Sequence, residues 1–416
     1  MLRIAPIHTC DAAYYFTGPE VSSSDKWMGR GRSLFGLDGI VRRTDLEALL
    51  AGRSPASIPM PIEMPGRSRV VNVGYDVVIS APKSISLLAN VATDEVSKSV
   101  RAAHEYAVEE SIRFLDSQAS ILRRSINSRI SFVQSEGFVG GAFFHEMSRS
   151  LDPHLHTHFV MPNFSLGSDG RFSAYNSSFL WSSARAAGSV YQANLRHRVT
   201  CELGVQWGPV RNGLAELDLF PKELLRTFSS RSAQIAQSLD ELGIEPRTAS
   251  GKSRMIAALS SRAPKDVSVD LDKLRNTWHA KAARFGFDSS RILDFLGRTP
   301  VPTIDDRTRL RAAARIASSN SIPKSHFSLT RRAVQSVCDL MPPGADPVSI
   351  YNLANEVTQS PVLRNEITRR REALENIPGD QIGLDRPTES RFTGLVRPRV
   401  AQRIQLASVR EFGMEF

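Results

Sequence analysis

Four of the nine histidines lie within fourteen positions of one another, from His145 to His158. Alternate residues of a β-strand point to the same face, so His154, His156 and His158 would share one face of a strand. A short polar turn, roughly residues 148–153, would bring His145 beside them across an antiparallel hairpin. Imidazoles that converge in this way, with no cysteine nearby, form a metal site with open positions. A metal with open positions acts as a Lewis acid on a phosphoryl oxygen.

His154 is the ambiguous member of this cluster. It shares a face with His156 and His158 and could be a fourth ligand. It could equally lie further along the strand, in contact with DNA or solvent, and we expect the second. Histidines that occur singly are usually solvated or packed in a core, but three on one predicted hairpin indicate metal binding.

Two adjacent tyrosines, Tyr14 and Tyr15, and one acidic residue, Asp76, complete the chemistry that the sequence offers. A tyrosine hydroxyl can attack phosphorus and leave a covalent intermediate. A tyrosine pair by itself more often consists of one core ring and one surface ring. Asp76 lies in the apolar segment VGYDVVIS, where a carboxylate needs a partner. Asp76 would therefore end a strand, orient a metal-ligating histidine, or accept the tyrosine proton.

The elements that would position these residues indicate an α+β fold, with strands and flanking helices in the front part of the chain and a mainly helical C-terminal segment. Residues 51–69 read as a loop, because they are rich in Pro, Ser, Gly and Met. The periodicity predicts strands over 70–81, within 130–147 and over 154–164. It predicts helices over 93–118, 181–203 and 221–242.

The bulk composition indicates a partner class. The 416 residues carry a formal net charge of +10, with a pI near 9.8. Such an excess favours a polyanion, most often nucleic acid, over a merely solubilising surface. The three cysteines are widely spaced, which argues against a disulfide framework. The N-terminus lacks the apolar region of a signal peptide, and no apolar run reaches about 18 residues. A soluble, cytoplasmic protein is expected.

Four motifs in order along the chain resemble those of TrwC/TraI-type (MobF-class) conjugative relaxases. They are WMGRGRSLFGLDGIV at Trp27, GYDVVISAPKSISLL at Gly74, FFHEMSRSLDPHLHTHFVMPN at Phe143 and FPKELLRTFSSRSAQI at Phe220. The likeness is colinear from the N-terminus to about Asp288.

The resemblance implies a metal-dependent HUH endonuclease with the HUH relaxase fold, a central antiparallel sheet flanked by helices. Such an enzyme binds a hairpin and single-stranded DNA at a plasmid transfer origin and cuts one strand with a tyrosine. It keeps the 5′ phosphate covalently, frees a 3′ hydroxyl and later rejoins the strand. The implied cofactor is a divalent metal ion, Mg²⁺ or Mn²⁺. The implied partners are accessory relaxosome proteins, a type IV secretion coupling protein and a separate helicase. A cytoplasmic protein that is translocated to a recipient cell with DNA is also implied.

The resemblance assigns roles position by position. Tyr14 corresponds to the nucleophile, with Tyr15 beside it as a second catalytic candidate, and Asp76 corresponds to an acidic residue that supports the tyrosine or a metal histidine. His154 falls where the family often has Gln, so it is not carried over as a ligand. The implied metal ligands are His145, His156 and His158. The implied DNA contacts are Lys83, Arg149 and His154. Lys83 could equally be a solvated turn charge.

Two departures from the family pattern bear on mechanism. Many relatives carry a second tyrosine pair several residues after the first, and the segment PEVSSSDKW has none. Tyr15 or a second protein molecule would have to replace it in a two-tyrosine mechanism. The large relatives also continue into a helicase, whereas SGKS at Ser250–Ser253 lacks the preceding glycine of a phosphate-binding loop. We therefore expect a relaxase domain over 1–297 and an Arg-rich helical tail over 298–416 that resembles the lead-in to a helicase.

Three alternative functions remain open at this point. A rolling-circle replication initiator would use the same chemistry, although the long colinear resemblance is to conjugative relaxases. A catalytically inactive DNA-binding relative is disfavoured by the presence of Tyr14, Asp76 and the three candidate ligands. A histidine-metal hydrolase of small molecules fits least, given the basic charge and the lack of a carboxylate-rich cluster.

Overall fold

A computed structural model describes residues 1–16, 25–55, 72–126, 129–261, 269–300, 307–319 and 325–375. The chain divides into two compact units, one formed by residues 1–305 with 338–346 and the other by residues 306–337 with 347–416. None of the helices within the described ranges has the length and apolar character that crossing a membrane requires.

Nine strands are described, and five of them form the central sheet. The strands are β1 (Leu2–Ile7), β2 (Lys26–Met28), β3 (Gly74–Ser80), β4 (Ile121–Ile126), β5 (Arg129–Gln134), β6 (Gly140–Met147), β7 (Pro153–Pro162), β8 (Ser165–Leu166) and β9 (Phe172–Ser173). The central sheet has the order β1-β3-β7-β6-β2, and each neighbouring pair is antiparallel. Strands β4 and β5 form a separate two-stranded ribbon, as do β8 and β9.

Helices cover the sheet and make up the C-terminal part of the described chain. They are α1 (Arg43–Leu50), α2 (Lys83–Val91), α3 (Asp94–Ala119), α4 (Ser177–Leu203), α5 (Lys222–Thr227), α6 (Ser230–Glu241), α7 (Gly251–Ser260), α8 (Leu271–Ala283), α9 (Ser289–Leu293), α10 (Arg307–Ala317), α11 (His326–Leu340), α12 (Pro347–Gln359) and α13 (Pro361–Glu375). Two short 3-10 helices span Ala13–Phe16 and Arg30–Phe35. The predicted α+β class, with a central antiparallel sheet and a helical C-terminal segment, is confirmed.

Both faces of the central sheet are covered, one by helices α3 and α4 and the other by a hydrophobic cluster. On one face, Thr157 of β7 is hydrogen bonded through its Oγ1 to His104 of α3 at 2.8 Å, and His104 is bonded to the Tyr191 hydroxyl of α4 at 2.7 Å. Burial lowers the pKa of His104 to about 3, so its ring is neutral. The other face carries a hydrophobic cluster of buried side chains, which comprises Ala12, Tyr15, Trp27, Phe35, Leu37, Val41, Leu46, Leu49, Leu50, Val139, Phe143, Val160 and Phe164.

The hairpin predicted around the histidines is present as β6 and β7. Its register places His145 directly opposite His156 and Phe143 opposite His158. The register shifts between His145 and Met147, which pairs with Pro153 across the turn. The strand-rich stretch 130–147 consists of two strands, β5 and β6, and β5 pairs with β4 rather than with the central sheet.

The predicted helices over 93–118 and 181–203 are present as α3 and α4. The Asn176 side chain accepts a hydrogen bond from the Ser178 amide at the start of α4. Gly204 ends the helix in a left-handed conformation, with φ at 59°. The strand expected over 70–81 spans Gly74–Ser80, and most of the loop expected over 51–69 lies outside the described residues.

The single helix expected over 221–242 was wrong, because the chain forms α5 and α6 with a break at Phe228 and Ser229. The Ser229 hydroxyl donates to the Leu225 carbonyl at 2.7 Å, and so competes with a helical backbone bond. The Asp152 carboxylate, from the β6–β7 turn, accepts the Ser230 amide at 2.7 Å. An acceptor from outside the helix therefore starts α6 where the sequence pattern runs on without interruption.

A buried carboxylate ties the N-terminal segment to the end of α3. Asp116 is 1% exposed and accepts hydrogen bonds from the Arg30 Nε and the Phe138 amide, both at 3.0 Å. The Arg30 side chain is half exposed, so its charge keeps contact with water. The Phe138 amide, by contrast, depends on Asp116 for its acceptor.

Replacing Asp116 with Ala should lower the free energy of unfolding by about 2–3 kcal/mol, because the buried Phe138 amide loses its acceptor. The control is Asp38→Ala, since Asp38 pairs with Arg32 at 3.3 Å on the surface and exposed pairs contribute little. Urea denaturation measures both. Equal stability of the two variants would contradict the assignment of Asp116 as a structural anchor.

Candidate active site

Three histidines meet on the face of the sheet that also carries the hydrophobic cluster. His145 comes from β6, and His156 and His158 come from β7. One ligand atom from each lies within 4.8 Å of the others, and the ring centroids are 5.2–5.3 Å apart. Among the described residues this is the group of side chains that could hold a metal ion. The structure thus brings together the three predicted ligands.

The hydrogen bond of His156 leaves its Nε2 lone pair available to a metal ion. The His156 Nδ1 lies 2.8 Å from the His154 carbonyl oxygen, which can only accept, so Nδ1 carries the proton. Burial, and then the neighbouring histidines, lower the pKa of His156 well below its ordinary value. A neutral ring with its Nε2 lone pair available is the form that ligates a metal. The donor set therefore fits a cation.

Asp76 supports the third histidine from the adjacent strand. Its two carboxylate oxygens each lie 2.9 Å from the His158 Nδ1, and one of them accepts the Tyr15 hydroxyl at 3.3 Å. Both side chains of the Asp76–His158 pair are largely buried. A carboxylate on the outer ring nitrogen fixes the tautomer and raises the basicity of the ligating nitrogen. Of the roles considered for Asp76, the geometry favours orientation of a histidine.

The two tyrosines occupy different environments. Tyr15 is 8% exposed and stacks on Phe143 at a centroid distance of 5.4 Å, within the hydrophobic cluster. Tyr14 is 37% exposed and lies edge-on to His158, with ring centroids 6.2 Å apart. An incoming phosphate can reach the exposed hydroxyl, whereas Tyr15 is held by packing and by Asp76. The 3-10 helix Ala13–Phe16 produces this difference by turning the two adjacent side chains in different directions.

Arg149 reaches Tyr14 from the turn between β6 and β7. Its Nη2 donates to the Tyr14 hydroxyl at 3.1 Å, and its guanidinium lies 5.4 Å from the centre of the Tyr14 ring. A guanidinium at this position adds positive charge beside the hydroxyl and the histidine triad. That charge suits a phosphate approaching Tyr14.

The other two predicted DNA contacts have protein partners. Lys83 begins α2 and donates from its Nζ to the Pro153 carbonyl at 2.7 Å, and burial lowers its pKa. It is therefore not a solvated turn charge. His154 is half-buried and stacks on His156 with centroids 4.7 Å apart. Burial, together with the nearby charge of Lys83, lowers the pKa of His154 to about 3. Contact of either residue with DNA stays a prediction.

Sequence reasoning missed several residues that support the site. The pattern-based predictions do not include helix α2, the bond from Lys83 to Pro153, or the contacts of the β6–β7 turn with Ser230 and Trp278. Each links segments that are far apart in the chain, so local periodicity carries no signal for it. Among these residues, Asp152 lies in the predicted polar turn and is the one with a local sequence signal.

A central antiparallel sheet that presents three converging histidines beside a tyrosine pair defines a relaxase fold of the HUH endonuclease class. The chain belongs to the TrwC relaxase family, whose sequence model matches residues 7–285. The resemblance that the four motifs indicated is confirmed.

Relatives of known sequence are conjugation proteins. The chain is 31% identical over 327 residues to the multifunctional conjugation protein TraI of Escherichia coli. This alignment covers 76% of this chain and 17% of that protein. The corresponding protein of Escherichia coli strain K12 is 29% identical over 369 residues, covering 82% of this chain and 20% of that protein. The chain therefore spans about a fifth of the length of these curated relatives.

Solved structures show the same fold. The conjugative relaxase TrwC in complex with oriT DNA, in a metal-free structure, matches with a TM-score of 0.62 at 31% identity. A metal-bound structure of that complex matches with a TM-score of 0.63 at the same identity. Each match covers 70% of this chain and 100% of the TrwC chain.

Removing the Asp76 carboxylate should weaken metal binding by about 10- to 100-fold, because His158 loses the group that fixes its tautomer and orientation. Isothermal titration calorimetry of Asp76→Ala with Mn²⁺ measures the loss. Tyr15→Phe is the matched control, since it removes the other hydrogen bond to Asp76 and leaves the bond to His158. Wild-type affinity in Asp76→Ala would show that Asp76 does not orient the ligand.

Proposed function

We propose that this chain nicks and rejoins one strand of DNA at a transfer origin, as a conjugative relaxase with Tyr14 as its nucleophile. The observation that supports this most strongly is an exposed tyrosine hydroxyl, bound by Arg149 at 3.1 Å, beside three converging histidines. The solved TrwC relatives are complexes with oriT DNA, which makes single-stranded and hairpin DNA the substrate class we propose here.

The reaction is a transesterification that conserves atoms and charge. The Tyr14 Oη forms a bond to phosphorus, and the bond from phosphorus to the 3′ oxygen breaks. The tyrosine proton is lost and the departing 3′ oxygen gains a proton, so the products are a 5′-phosphotyrosine and a 3′ hydroxyl. The reverse reaction joins a 3′ hydroxyl to the same phosphate and releases Tyr14. Because the energy of the phosphodiester is kept in the tyrosyl ester, rejoining needs no nucleotide cofactor.

The side chains around Tyr14 have separate tasks in this proposal. Arg149 binds the hydroxyl and the incoming phosphate, and Asp76 holds His158 in its ligating tautomer. Tyr15 buttresses Asp76 from the hydrophobic cluster and is not the attacking group. A divalent cation, Mg²⁺ or Mn²⁺, held by His145, His156 and His158 would offset charge on the non-bridging phosphate oxygens.

The domain assignment and the wider partners follow from the same proposal. Residues 1–297 would form the nicking domain, and residues 298–416 the helical tail that precedes a helicase in longer relatives. A separate helicase, relaxosome proteins and a type IV secretion coupling protein would then complete transfer of the DNA, with the relaxase itself, made in the cytoplasm, carried into the recipient. The family match favours this role over a rolling-circle replication initiator.

Incubation with single-stranded oligonucleotides tiled across the replicon that encodes the chain tests the proposed nucleophile. We expect a covalent protein–DNA adduct that survives denaturing electrophoresis. Tyr14→Phe should reduce adduct formation at least about a thousandfold, as expected when a nucleophile is removed. Tyr15→Phe should retain it within about tenfold, because it loses only a positioning bond. Adduct formation by Tyr14→Phe at the wild-type rate would rule out Tyr14.

The metal proposal has its own test. Protein stripped with EDTA should lose cleavage, and added Mg²⁺ or Mn²⁺ should restore it, since Arg149 alone would offset only part of the charge on the phosphate. His156→Ala is expected to stay inactive under the same additions. Titration with Zn²⁺, Ni²⁺ and Cu²⁺ in parallel identifies the preferred ion, because three imidazoles also suit these metals. Full activity of the stripped protein would contradict metal dependence.

A further inference from the structure

The turn between β6 and β7 carries Arg149 and has an unusual backbone. Leu151 adopts a left-handed conformation, with φ at 59°. Such a conformation is disfavoured for a residue with a branched side chain and persists only where the surroundings hold it. The Ser148 amide donates to the Asp152 carbonyl and the Leu151 amide donates to the Ser148 carbonyl, both at 2.9 Å. The turn is therefore closed on itself around Arg149.

Helix α8 is hydrogen bonded to the β6–β7 hairpin on both sides of Arg149. The Trp278 Nε1 donates to the Leu151 carbonyl at 2.9 Å, and the Trp278 side chain is 2% exposed. One turn earlier on the helix, the Arg275 Nη2 donates to a Glu146 carboxylate oxygen at 2.9 Å. Residues three positions apart lie on the same face of a helix. One face of α8 thus fixes a residue before Arg149 and a residue after it.

Helix α6 supplies a second attachment at the end of the turn. The Asp152 carboxylate accepts the Ser230 amide at 2.7 Å and the Ser230 hydroxyl at 3.1 Å. The Ser150 hydroxyl donates to the Gln234 amide oxygen at 3.2 Å. These bonds come from α6, whereas the bond to the left-handed residue, Leu151, comes from α8. Helix α6 would therefore hold the turn in place even without the bond from α8.

We infer that Trp278 is a positioning residue for strand cleavage, which holds Leu151 in its left-handed conformation so that Arg149 reaches the Tyr14 hydroxyl. Without the indole N–H, the Leu151 carbonyl loses its donor and the backbone can relax to a right-handed conformation. Arg149, two residues away, is then aimed differently and the 3.1 Å contact with Tyr14 is lost. The inference rests on the proposed role of Tyr14 as nucleophile.

The first test is a double-mutant cycle between Trp278→Phe and Arg149→Ala, read as single-turnover cleavage with saturating oligonucleotide. Phenylalanine keeps an aromatic ring at this buried position and removes the donor, together with part of the indole volume. Trp278→Phe should slow cleavage roughly 10- to 100-fold, the range expected from misplacement of a reacting group. In the Arg149→Ala background the same change should have no further effect, because Trp278 acts through Arg149. Mn²⁺ affinity should match the wild type in all variants.

Trp207→Phe is the matched control. The Trp207 Nε1 also donates a hydrogen bond, to the Thr200 Oγ1 at 2.9 Å. This acceptor lies on α4 and not in the β6–β7 turn. This variant should cleave at the wild-type rate. A general loss of stability from removing an indole donor would slow both tryptophan variants equally, which would overturn the inference.

Substitutions at Leu151 test the same point without touching the helix. Leu151→Val should slow cleavage as Trp278→Phe does, since a β-branched side chain disfavours the left-handed conformation. Glycine adopts that conformation without penalty, so Leu151→Gly should restore most of the cleavage rate to Trp278→Phe. No rescue, or additive effects of Trp278→Phe and Arg149→Ala, would overturn the inference. Absence of any wild-type adduct would instead overturn the proposed function.

Discussion

The antiparallel pairing of β6 with β7 decides which side chains meet at the site. Its register sets His145 opposite His156 and Phe143 opposite His158, so the triad and the floor under the tyrosines share one face. A slip of β7 by one residue would turn His156 and His158 to the opposite face, away from His145. The neighbouring pairing of β3 with β7 sets Asp76 opposite Val160, and so places the carboxylate on that same face, next to His158.

The reverse face of the same strand explains why this register is kept. Thr157 alternates with the histidines and points toward α3, where its hydroxyl is hydrogen bonded to His104, which is in turn bonded to the Tyr191 hydroxyl inside the core. A buried polar chain of this kind is favourable only when every member finds its partner. The core side of β7 therefore specifies the register that the metal side uses. The ends of the hairpin are held separately, through Glu146 and the β6–β7 turn, by α6 and α8.

The parts of the fold and of the site that could be predicted from the sequence are those set by interactions between residues close together in the chain. Alternation along HLHTHF and a polar turn were enough to bring His145, His156 and His158 together, because strand periodicity is a local rule. The break between α5 and α6 was not predictable, since the cap on Ser230 comes from Asp152, 78 positions away. The different roles of Tyr14 and Tyr15 depend on the packing of Phe143 and on Arg149, which no spacing within AAYYF encodes.

We propose that the exposed Tyr14 attacks DNA while its buried neighbour, Tyr15, supports the metal site. Mass spectrometry of the wild-type protein, digested after reaction with its oligonucleotide, would locate the covalent bond directly. We expect a phosphoryl nucleotide on Tyr14, the residue that Arg149 contacts at 3.1 Å. Attachment to Tyr15, or cleavage of the strand with no modified tyrosine, would contradict it.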